Sequence, residues 1–565
     1  MQLNVDLLLA AGIEITGLPD AAPARAGAPR VVRFDARPDD ELELVWENGS
    51  FRGAGAGVLR HRDGFVLRLE GARAIDLRRF DVVAAAPPGT FEIRTAAGEA
   101  VFIVDSSHLM FDAAREHVLF RNADVRISRW FAERLGRPHL EGLTVAGFEL
   151  LARFVGGPEA IAAACTVDLA SPVDLELTSI NSFSQVAREA GVRVAMAASA
   201  TLVNQGPGTV EWYRAIAPDG VVGAHPFLAQ QVYRLDPDGS FRQIGQADVK
   251  HAFYAVNSGC ACSGGQLLFA GCGDTYGVSN NSDRFYFAPR SEVSMQPEAW
   301  AARWTSAGSH FDAFGVDPPD DSDDYRSHGG NAVHDAFEHR LQVAEGDLQV
   351  ADARYFVEVW YPTARDADVW NNLGYREIEP SFDGALWTFP FADSDVSPGP
   401  ALDAWVDPAE PPPGSTSATL ATADGRLRLA SRVTGLGDGR YRYDYALFNL
   451  DFDRRVDRFA VPAWLGSAAL FRGAGAVPSA PWAVSTASGE TVWQAAAADA
   501  LDWGTMFGFS FVASAPAQSG PVTLHALEAG TPESFEIEAL VPLAPLFADD
   551  FEGGSTARWT AAVSG

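Results

Sequence analysis

Short stretches in which hydrophobic and polar residues alternate run through most of this chain. Between residues 31 and 105 they are VVRFDARP, ELELVWENG, FVLRLEG, RRFDVVAA and GTFEIRTAAGEAVFIVD, separated by turns that contain Gly or Pro. A period of two places successive side chains on opposite faces of a strand, and short strands separated by such turns are typical of sandwiches and barrels. A helical pattern runs from about Asp124 to Leu135, where apolar residues recur at three- and four-residue spacing.

The alternation continues through residues 161–406, with strands predicted at VDLELTSI, VRVAMAASATLVN, TVEWYRAI, QQVYRLD and SFRQIGQAD. Asp-Pro-Asp-Gly at 236–239 predicts a hairpin turn, and Gly-Asp-Gly at 437–439 predicts a second hairpin in RLRLASRVTGLGDGRYRYDYALFNLD. Val316 to Gly330 is acidic and poor in apolar residues, which predicts a long surface loop.

These patterns predict an all-β fold with minor helix, in a multidomain β-sandwich or barrel architecture. The predicted domains are an N-terminal β-rich domain at 1–160 and a central β-rich domain with a cysteine-rich loop at 161–406. A Pro-rich linker at 407–418 precedes a C-terminal sandwich of immunoglobulin or fibronectin type at 419–545, and residues 546–565 form a short tail.

The charge of the chain limits its partners. The formal net charge is -31 at pH 7 over 565 residues, which argues against nucleic acid and disfavours acidic lipid surfaces. No run of about 18 or more apolar residues is present, so we expect no membrane insertion. The start, MQLNVDLLLAAGIEITG, lacks a basic segment and a small-residue cleavage site and does not match a signal peptide.

Four cysteines, at 165, 260, 262 and 272, indicate disulfides and an oxidising compartment. Cys260 and Cys262 are too close together to pair easily, so we expect one of them to join Cys272 and the other Cys165. The alternative is a metal site, but C-x-C-x9-C is not a standard zinc spacing.

Lys250 is the only lysine among the 43 Lys and Arg residues of the chain. Lysine is a compact point charge, so we expect it to occupy a site from which a guanidinium is excluded. With His251 it is a candidate catalytic residue, as a base or Schiff-base amine. The alternative is a structural ammonium bound to Asp248 or Asp274. On a strand, Asp248 and Lys250 share one face while His251 points to the other, which argues against a simple Lys–His dyad.

Two groups of residues are candidate metal sites. His225, His251 and Asp274 offer two imidazoles and a carboxylate, which suit a transition metal, although their convergence depends entirely on the fold. The acidic loop offers carboxylates to Ca²⁺ without the EF-hand order; these residues are Asp317, Asp320, Asp321, Asp323 and Asp324. A set of histidines nearby is interpreted as polar loop residues: His328, His334 and His339.

Aromatic residues beside amides form a candidate glycan-binding platform, made of Trp360, Tyr361, Trp370, Asn371 and Asn372. Aromatic rings with neighbouring amides suit carbohydrate binding. The alternative is that these aromatics belong to a β-sheet core, where most Trp residues of such proteins lie.

A resemblance to known proteins is carried by the order HP…Q…YRL…G-x-F-x-QIG…KH-x-F, followed by GC-x-D-x-Y-G and PRSEV. This order resembles a family of large uncharacterised secreted bacterial proteins, over about residues 165–530. The resemblance implies export and a C-terminal β-sandwich, but no established activity. Two departures are Ala344, where the family often has His, and Val203, where it tends to have Cys. The tail LFADDFEGGSTARWTAAVSG resembles the D-x-F-E-x-G…W endings of secreted proteins of Gram-negative bacteria.

Two hypotheses of function follow. The first is a secreted or cell-surface protein that binds a glycan or another surface polymer. The alternative is a secreted enzyme, a hydrolase or metal-dependent oxidase, with its site around His225, Lys250, His251 and Asp274. The binding hypothesis is preferred because no nucleophile or metal signature is specific, with no G-x-S-x-G, Walker or dinucleotide-binding motif in the chain, and because an aromatic, β-rich layout with a C-terminal tail suits binding.

Overall fold

The structure is a computed structural model. It describes residues 1–18, 30–47, 50–71, 73–112, 117–153, 165–212, 226–252, 254–260, 262, 265–283, 287–288, 290, 293–295, 335–462, 466–474, 480–487 and 489–543.

The fold is all-β, as predicted. Strands account for 54% of the structure and helices for 8%. The structure forms two compact units, Met1–Trp405 with Ala474–Pro478, and Val406–Gly473 with Ser479–Gly565. The border between the units lies beside the predicted start of the linker at 407, while both predicted domains before it fall within the first unit.

The N-terminal strands of the first unit form a ten-stranded sheet and a separate three-stranded sheet. The elements are β1 Gln2–Leu3, α1 Val5–Ala10, β2 Ile13–Thr16, β3 Arg30–Val31, β4 Leu42–Glu47, β5 Ser50–His61, β6 Phe65–Leu69, β7 Arg73–Leu77, β8 Phe80–Ala85, β9 Thr90–Thr95, β10 Ala100–Asp105, β11 His108–Asp112, β12 His117–Ile127, α2 Arg129–Leu135 and β13 Thr144–Arg153. The ten-stranded sheet has the order β3-β1-β13-β12-β10-β9-β8-β5-β4 with β11 beside β12, and β2-β6-β7 form a separate sheet. A short 3-10 helix, Pro138–Leu140, follows α2.

The predicted helix from Asp124 to Leu135 starts later in the structure. β12 continues to Ile127 through its pairing with β10 and β13. α2 then begins at Arg129, because the Ser128 hydroxyl accepts a hydrogen bond from the Phe131 N–H and caps the first turn. Gly136 ends the helix with a positive φ of 74°. The helical periodicity therefore holds only for its second half.

The central strands of the first unit form a thirteen-stranded sheet. The elements are β14 Leu175–Glu189, β15 Arg193–Asn204, β16 Val210–Glu211, β17 Phe227–Leu235, β18 Phe241–Gln246, β19 Val249–His251, β20 Leu267–Leu268, β21 Gly273–Tyr276, α3 Val278–Asn281, β22 Phe287–Ala288, β23 Leu341–Ala344, β24 Arg354–Trp360, β25 Leu373–Ile378, β26 Ser381–Phe382, β27 Trp387–Thr388 and β28 Ser397–Pro398. Its main path is β26-β27-β14-β15-β23-β18-β17-β24-β25-β28, with β19 on β17, β21 on β15 and β22 on β19. β16 and β20 pair separately, and 3-10 helices occupy Glu345–Gln349 and Ala401–Ala404.

The N-terminal and central strands are joined by side chains that cross between them. The carboxylate of Asp124, on β12, accepts hydrogen bonds from the N–H groups of Val278 at 2.7 Å and Ser279 at 2.8 Å, at the start of α3. A Cβ at Gly277 would lie 2.7 Å from that carboxylate, so this approach requires glycine. Leu386, next to β27, is fully buried in the hydrophobic core of the N-terminal strands. The two sets of strands thus complete one compact unit.

The second unit is the predicted β-sandwich, made of two five-stranded sheets. The strands are β29 Ser415–Thr422, β30 Gly425–Gly435, β31 Tyr441–Asn449, β32 Val456–Pro462, β33 Gly466–Arg472, β34 Ala483–Ala487, β35 Glu490–Gln494, β36 Thr505–Ala513, β37 Ala517–Ala526 and β38 Ser534–Pro542. One sheet has the order β29-β30-β31-β36-β33 and the other β34-β35-β32-β37-β38. Ten strands exceed the seven of a constant-type immunoglobulin domain. A 3-10 helix lies at Ala497–Asp499.

None of the helices in the described ranges is both long and apolar enough to cross a membrane.

Candidate functional site

Lys250 lies in the interior of the first unit. It sits on β19, which pairs with the start of β17 so that Lys250 faces Leu228 across the ladder. Its exposed fraction is 0%, and its Nζ lies 4.5 Å from the centre of the Tyr276 ring. An ammonium over an aromatic face is attracted by the ring quadrupole, and more strongly where water is excluded. The only lysine of the sequence is therefore fully buried, and the exclusion of a guanidinium from its place stays a prediction.

Asp274 is the acidic residue on which the Lys250 charge acts. It lies on β21 and is 2% exposed, and its Oδ1 accepts a hydrogen bond of 2.7 Å from the Val256 N–H. Burial raises the pKa of Asp274 to about 8, against the opposing effects of backbone hydrogen bonds and of the Lys250 charge. Asp248, the other predicted partner, instead binds Nδ1 of His339 at 2.6 Å. Of the two carboxylates considered for Lys250, the structure thus favours Asp274.

His108 joins these residues from β11 of the N-terminal strands. It is 1% exposed, and its ring centre lies 4.4 Å from that of Tyr276. Burial, followed by the Lys250 charge, lowers the pKa of His108 to about 3, so the imidazole is neutral at pH 7. Its Nε2 lies 3.2 Å from the Thr275 carbonyl oxygen, which can only accept, so Nε2 carries the proton. Nothing in the sequence around His108 indicated a link to Lys250.

Tyr276 is held in place at the centre of this group. Its hydroxyl donates to the Tyr254 carbonyl at 3.0 Å and accepts from the Trp212 Nε1–H at 3.1 Å. Because the Tyr276 hydroxyl both donates and accepts a hydrogen bond, its ring is held in one orientation, in which it contacts Lys250 and His108. We call Lys250, Asp274, His108 and Tyr276 the Lys250 cluster.

A second buried polar group surrounds Glu358 on β24. Glu358 is 0% exposed and accepts hydrogen bonds from Gln231 Nε2 at 3.0 Å, the Tyr233 hydroxyl at 3.0 Å and the Ala401 N–H at 2.6 Å. Burial raises its pKa to about 7, although these hydrogen bonds and the Arg290 charge act in the opposite direction. Arg290 Nη2 donates to Gln231 Oε1 at 3.2 Å. This network is satisfied within the sheet and resembles a structural core group.

The two predicted metal sites rest largely on residues outside the described ranges. His225, His328, His334 and the five aspartates of the acidic loop lie there, and for His251 only the backbone on β19 is described. The metal predictions at His225, His251 and Asp274, and at the calcium loop, therefore stay predictions.

The predicted aromatic platform is wrong as an exposed surface. Trp360, Tyr361 and Asn372 are 1%, 4% and 1% exposed, and Trp360 Nε1 donates to Asn372 Oδ1 at 2.9 Å inside the protein. β24 runs through the middle of the sheet and is covered on both faces after Arg354, so its aromatics pack in the core. Trp370 and Asn371 are half-buried, and Asn371 binds Asp174.

The four cysteines form two disulfides, and, as predicted, Cys260 and Cys262 each bond to a different partner. Cys165 is bonded to Cys262 with a Cα–Cα distance of 5.6 Å, and Cys260 to Cys272 with 5.0 Å. The sulfur atoms of Cys260, Cys262 and Cys272 lie within 4.8 Å of one another, but metal ligation needs thiolates, which these bonds consume.

An open cavity on the N-terminal strands has a different character. Its volume is about 850 Å³, and it lies against β7, the end of β9 and α2. Its charged lining consists of Arg62, Arg78, Arg79, Arg134, Asp76 and Glu99. Trp130, half-buried against the hydrophobic core, also lines it. We call this cavity the arginine cleft; nothing in the sequence indicated it, because its residues come from four separate segments.

The arginine cleft holds one ion pair between exposed side chains. Arg78 Nη2 lies 2.5 Å from Asp76 Oδ2, and this pairing lowers the pKa of Asp76. Arg62, Arg79 and Arg134 make no ion pair with any carboxylate of the described ranges, and all three are exposed. Thr95 donates to Glu99 at the cavity wall. Three guanidinium groups thus face a cavity of ligand size with their donors available.

No protein-family model matches the chain, and no curated protein matches it either.

Proposed function

We propose that this protein is a secreted or cell-surface protein that binds a glycan, and that the arginine cleft is its binding site. The observation that carries the proposal is a cavity of about 850 Å³ with an anchored indole and several guanidinium groups in its wall. Ligand sites are typically concave and about 300–1,000 Å³ in volume. An aromatic ring packs against the C–H face of a sugar, while planar guanidinium groups donate paired hydrogen bonds to sugar oxygens.

Export is proposed on separate grounds. Two disulfides link segments up to 97 residues apart, and such bonds persist mainly in oxidising compartments. The resemblance to secreted bacterial proteins points to the same location. An acidic net charge of -31 favours solubility outside the cell and does not conflict with binding a neutral or small ligand.

Glycan binding is tested with an array of bacterial and plant glycans and two tryptophan variants. Trp130→Ala should weaken binding about ten-fold or more, since the ring provides the apolar contact. Trp370→Ala, which alters a half-buried tryptophan of the discarded platform, is the matched control and should bind like the parent. Circular dichroism confirms that both variants fold. Loss of binding in Trp370→Ala alone, or no glycan bound by the parent protein, would overturn the proposal.

A second candidate function is a secreted enzyme that uses the Lys250 cluster. The observation in its favour is that a lysine, a histidine and a carboxyl from three different strands meet in a water-excluded place, where perturbed pKa values often mark functional groups. A carboxyl with a raised pKa can deliver a proton near neutral pH, and an ammonium stabilises a developing anion.

The enzyme hypothesis is tested by screening hydrolase and oxidase substrates with the parent protein and Asp274→Asn. Turnover that is lost in a folded Asp274→Asn variant supports it. Elemental content measured for the parent protein and His251→Ala tests the metal-dependent form, which requires stoichiometric metal that the variant loses. If no substrate is turned over and no metal is bound, the cluster has a structural role.

A further inference from the structure

The arginine cleft is locally basic on an acidic protein. Four arginines and two carboxylates line it, which gives a local formal charge of +2, whereas the whole chain carries -31. Only Arg78 has its guanidinium occupied by a carboxylate in the cavity wall. The cavity therefore offers more guanidinium donors than its own carboxylates can accept from. A bound anion would accept hydrogen bonds from the remaining guanidinium groups.

The short range of electrostatic attraction in salt favours a short anionic ligand over a long one. At physiological salt the Debye length is about 8 Å, so a charge held within the cleft is attracted mainly by the nearest arginines. A long polyanion would extend beyond the cleft onto a protein that carries 74 Asp and Glu against 43 Lys and Arg, so its remaining charges would be repelled on average. The same protein can therefore accept a short acidic ligand and reject an extended one.

The position of Trp130 indicates what the acidic ligand carries besides its charge. Its indole packs on the hydrophobic core through one part and lines the cleft with another, so the ring is fixed without a ligand. A pre-organised apolar face is suited to a sugar ring and adds nothing to the binding of a small inorganic anion. Together, the ring and the guanidinium groups fit a sugar that bears a carboxylate.

We infer that the arginine cleft binds an acidic sugar at a chain end or in a short oligosaccharide, with its carboxylate held by Arg62, Arg79 and Arg134 and its ring against Trp130. This inference rests on the proposed glycan binding and specifies the ligand class of the same site. It also explains why an acidic protein keeps several unpaired guanidinium groups in one concave place.

The test is calorimetric titration with digalacturonic acid, with the neutral galactose disaccharide of the same linkage and with polygalacturonate. The acidic disaccharide should bind about ten-fold more tightly than the neutral one, because a guanidinium–carboxylate hydrogen bond contributes more than a neutral one. The difference should shrink between about 50 mM and about 500 mM sodium chloride. Polygalacturonate should bind no more tightly per site than the disaccharide.

Two variants on the same helix make the test specific. Arg134→Gln should reduce the affinity for the acidic disaccharide about ten-fold and the affinity for the neutral one about two-fold or less, because the amide can still donate to a sugar hydroxyl. Arg129→Gln is the matched control, because Arg129 is exposed on α2 but pairs with Glu141 outside the cleft. It should bind both disaccharides like the parent protein.

Each of the other outcomes contradicts one defined part of the inference. Equal binding of the acidic and neutral disaccharides disproves the acidic-sugar inference while glycan binding at the cleft stands. Tighter binding of polygalacturonate disproves the short-ligand part, and equally good competition by inorganic sulfate disproves the requirement for a sugar. If no glycan on the array and neither disaccharide binds, the proposed function fails together with the inference.

Discussion

The central sheet and the C-terminal sandwich bury very different side chains. In the sandwich, aromatic rings fill the space between the two sheets, with centroid distances of 4.5 Å between Phe459 and Phe509 and 5.6 Å between Phe459 and Trp493. Its buried charged residues in the described ranges are Asp444 and Arg454. The central sheet and the segments packed on it instead bury a lysine, several carboxyls and arginines; examples are Lys250, Asp274 and Glu358 in the sheet, and Glu211 and Glu345 beside it.

The aromatic core of the sandwich serves stability alone, whereas the buried charged groups of the central sheet indicate a more specialised chemistry. Burying an aromatic side chain is favourable and needs no partner, whereas a buried charge costs free energy unless a partner or hydrogen bonds compensate it. A protein that needed only a rigid scaffold would use the chemistry of the sandwich throughout. We therefore expect the polar interior of the central sheet to respond to charge, pH and redox changes that leave the sandwich unaffected.

The largest difference between the two regions should appear on reduction. All four cysteines belong to the first unit, and each disulfide typically contributes about 2–4 kcal/mol, more for the longer loop closed by Cys165 and Cys262. A phosphine reductant should lower the stability of the first unit by about 4–8 kcal/mol. Hydrogen–deuterium exchange resolves the two units, and exchange in sandwich peptides should not change. Equal loss of protection in both units would contradict the comparison.

Truncating a core side chain of the sandwich should destabilise the second unit and leave the first unit unaffected. Trp493 is 0% exposed and contacts Phe509 and Phe511, so Trp493→Ala should cost about 3–5 kcal/mol in the free energy of unfolding of the second unit. Val484→Ala, at a 42% exposed site of the adjacent strand, is the control and should cost about 0.5 kcal/mol or less. Denaturant unfolding followed by exchange measures both. A loss below about 1 kcal/mol would show that the sandwich core is loosely packed.

Neutralising Lys250 tests the charged interior directly. Lys250→Met keeps the stem but removes the ammonium over the Tyr276 ring, at an expected cost of about 2 kcal/mol to the first unit. The cost stays below that of breaking a buried ion pair because Asp274, with a pKa of about 8, is mostly protonated at pH 7 and leaves no unpaired charge behind. Since the Lys250 charge lowers the pKa of His108, the variant should raise that pKa, which NMR of the imidazole would measure.

Lys250→Arg is the companion variant. It keeps the charge but adds volume in a fully buried place, so it should also destabilise the first unit. Full retention of stability by Lys250→Arg would show that the site does not exclude a guanidinium.

The smallest effect concerns pH. Burial raises the pKa of Glu358 in the folded protein to about 7, from an ordinary value of 4.5. The folded state therefore holds this proton more tightly, so the contribution is fully present below about pH 4.5, decreases as pH rises, and is lost above about pH 7. Glu358→Gln should remove a decrease on the order of 2 kcal/mol between pH 4.5 and pH 7. Calorimetry at several pH values compares the two proteins, and parallel curves would contradict the assignment.

The strands and turns were accessible from the sequence because they depend on local alternation and on turn residues. The Asp-Pro-Asp-Gly turn lies between β17 and β18, where the Gly239 N–H donates to the Asp236 carbonyl. The Gly-Asp-Gly turn likewise joins β30 and β31. The start of α2 was misplaced because β-pairing up to Ile127 overrides the helical periodicity.

The candidate sites were less accessible because they depend on which segments meet. Alternation cannot tell whether the second face of a strand is covered, and this is why Trp360 was assigned to a surface and lies in the core. His108 reaches Lys250 only because two sets of strands about 140 residues apart pack together. The arginine cleft likewise combines Arg62, Arg79 and Arg134, which share no spacing pattern.

The burial of Leu386 in the N-terminal core has a consequence for the order of folding. Asn4 also donates a side-chain hydrogen bond to the Val186 carbonyl, so the first strands need partners that follow much later in the chain. A chain that emerges from its N-terminus cannot close this core until about residue 386 is free to pack. Until then the early strands expose apolar faces and unpaired edges, which are prone to aggregate. Folding of the first unit should therefore wait for nearly all of its length, whereas the sandwich can close from its own contiguous strands.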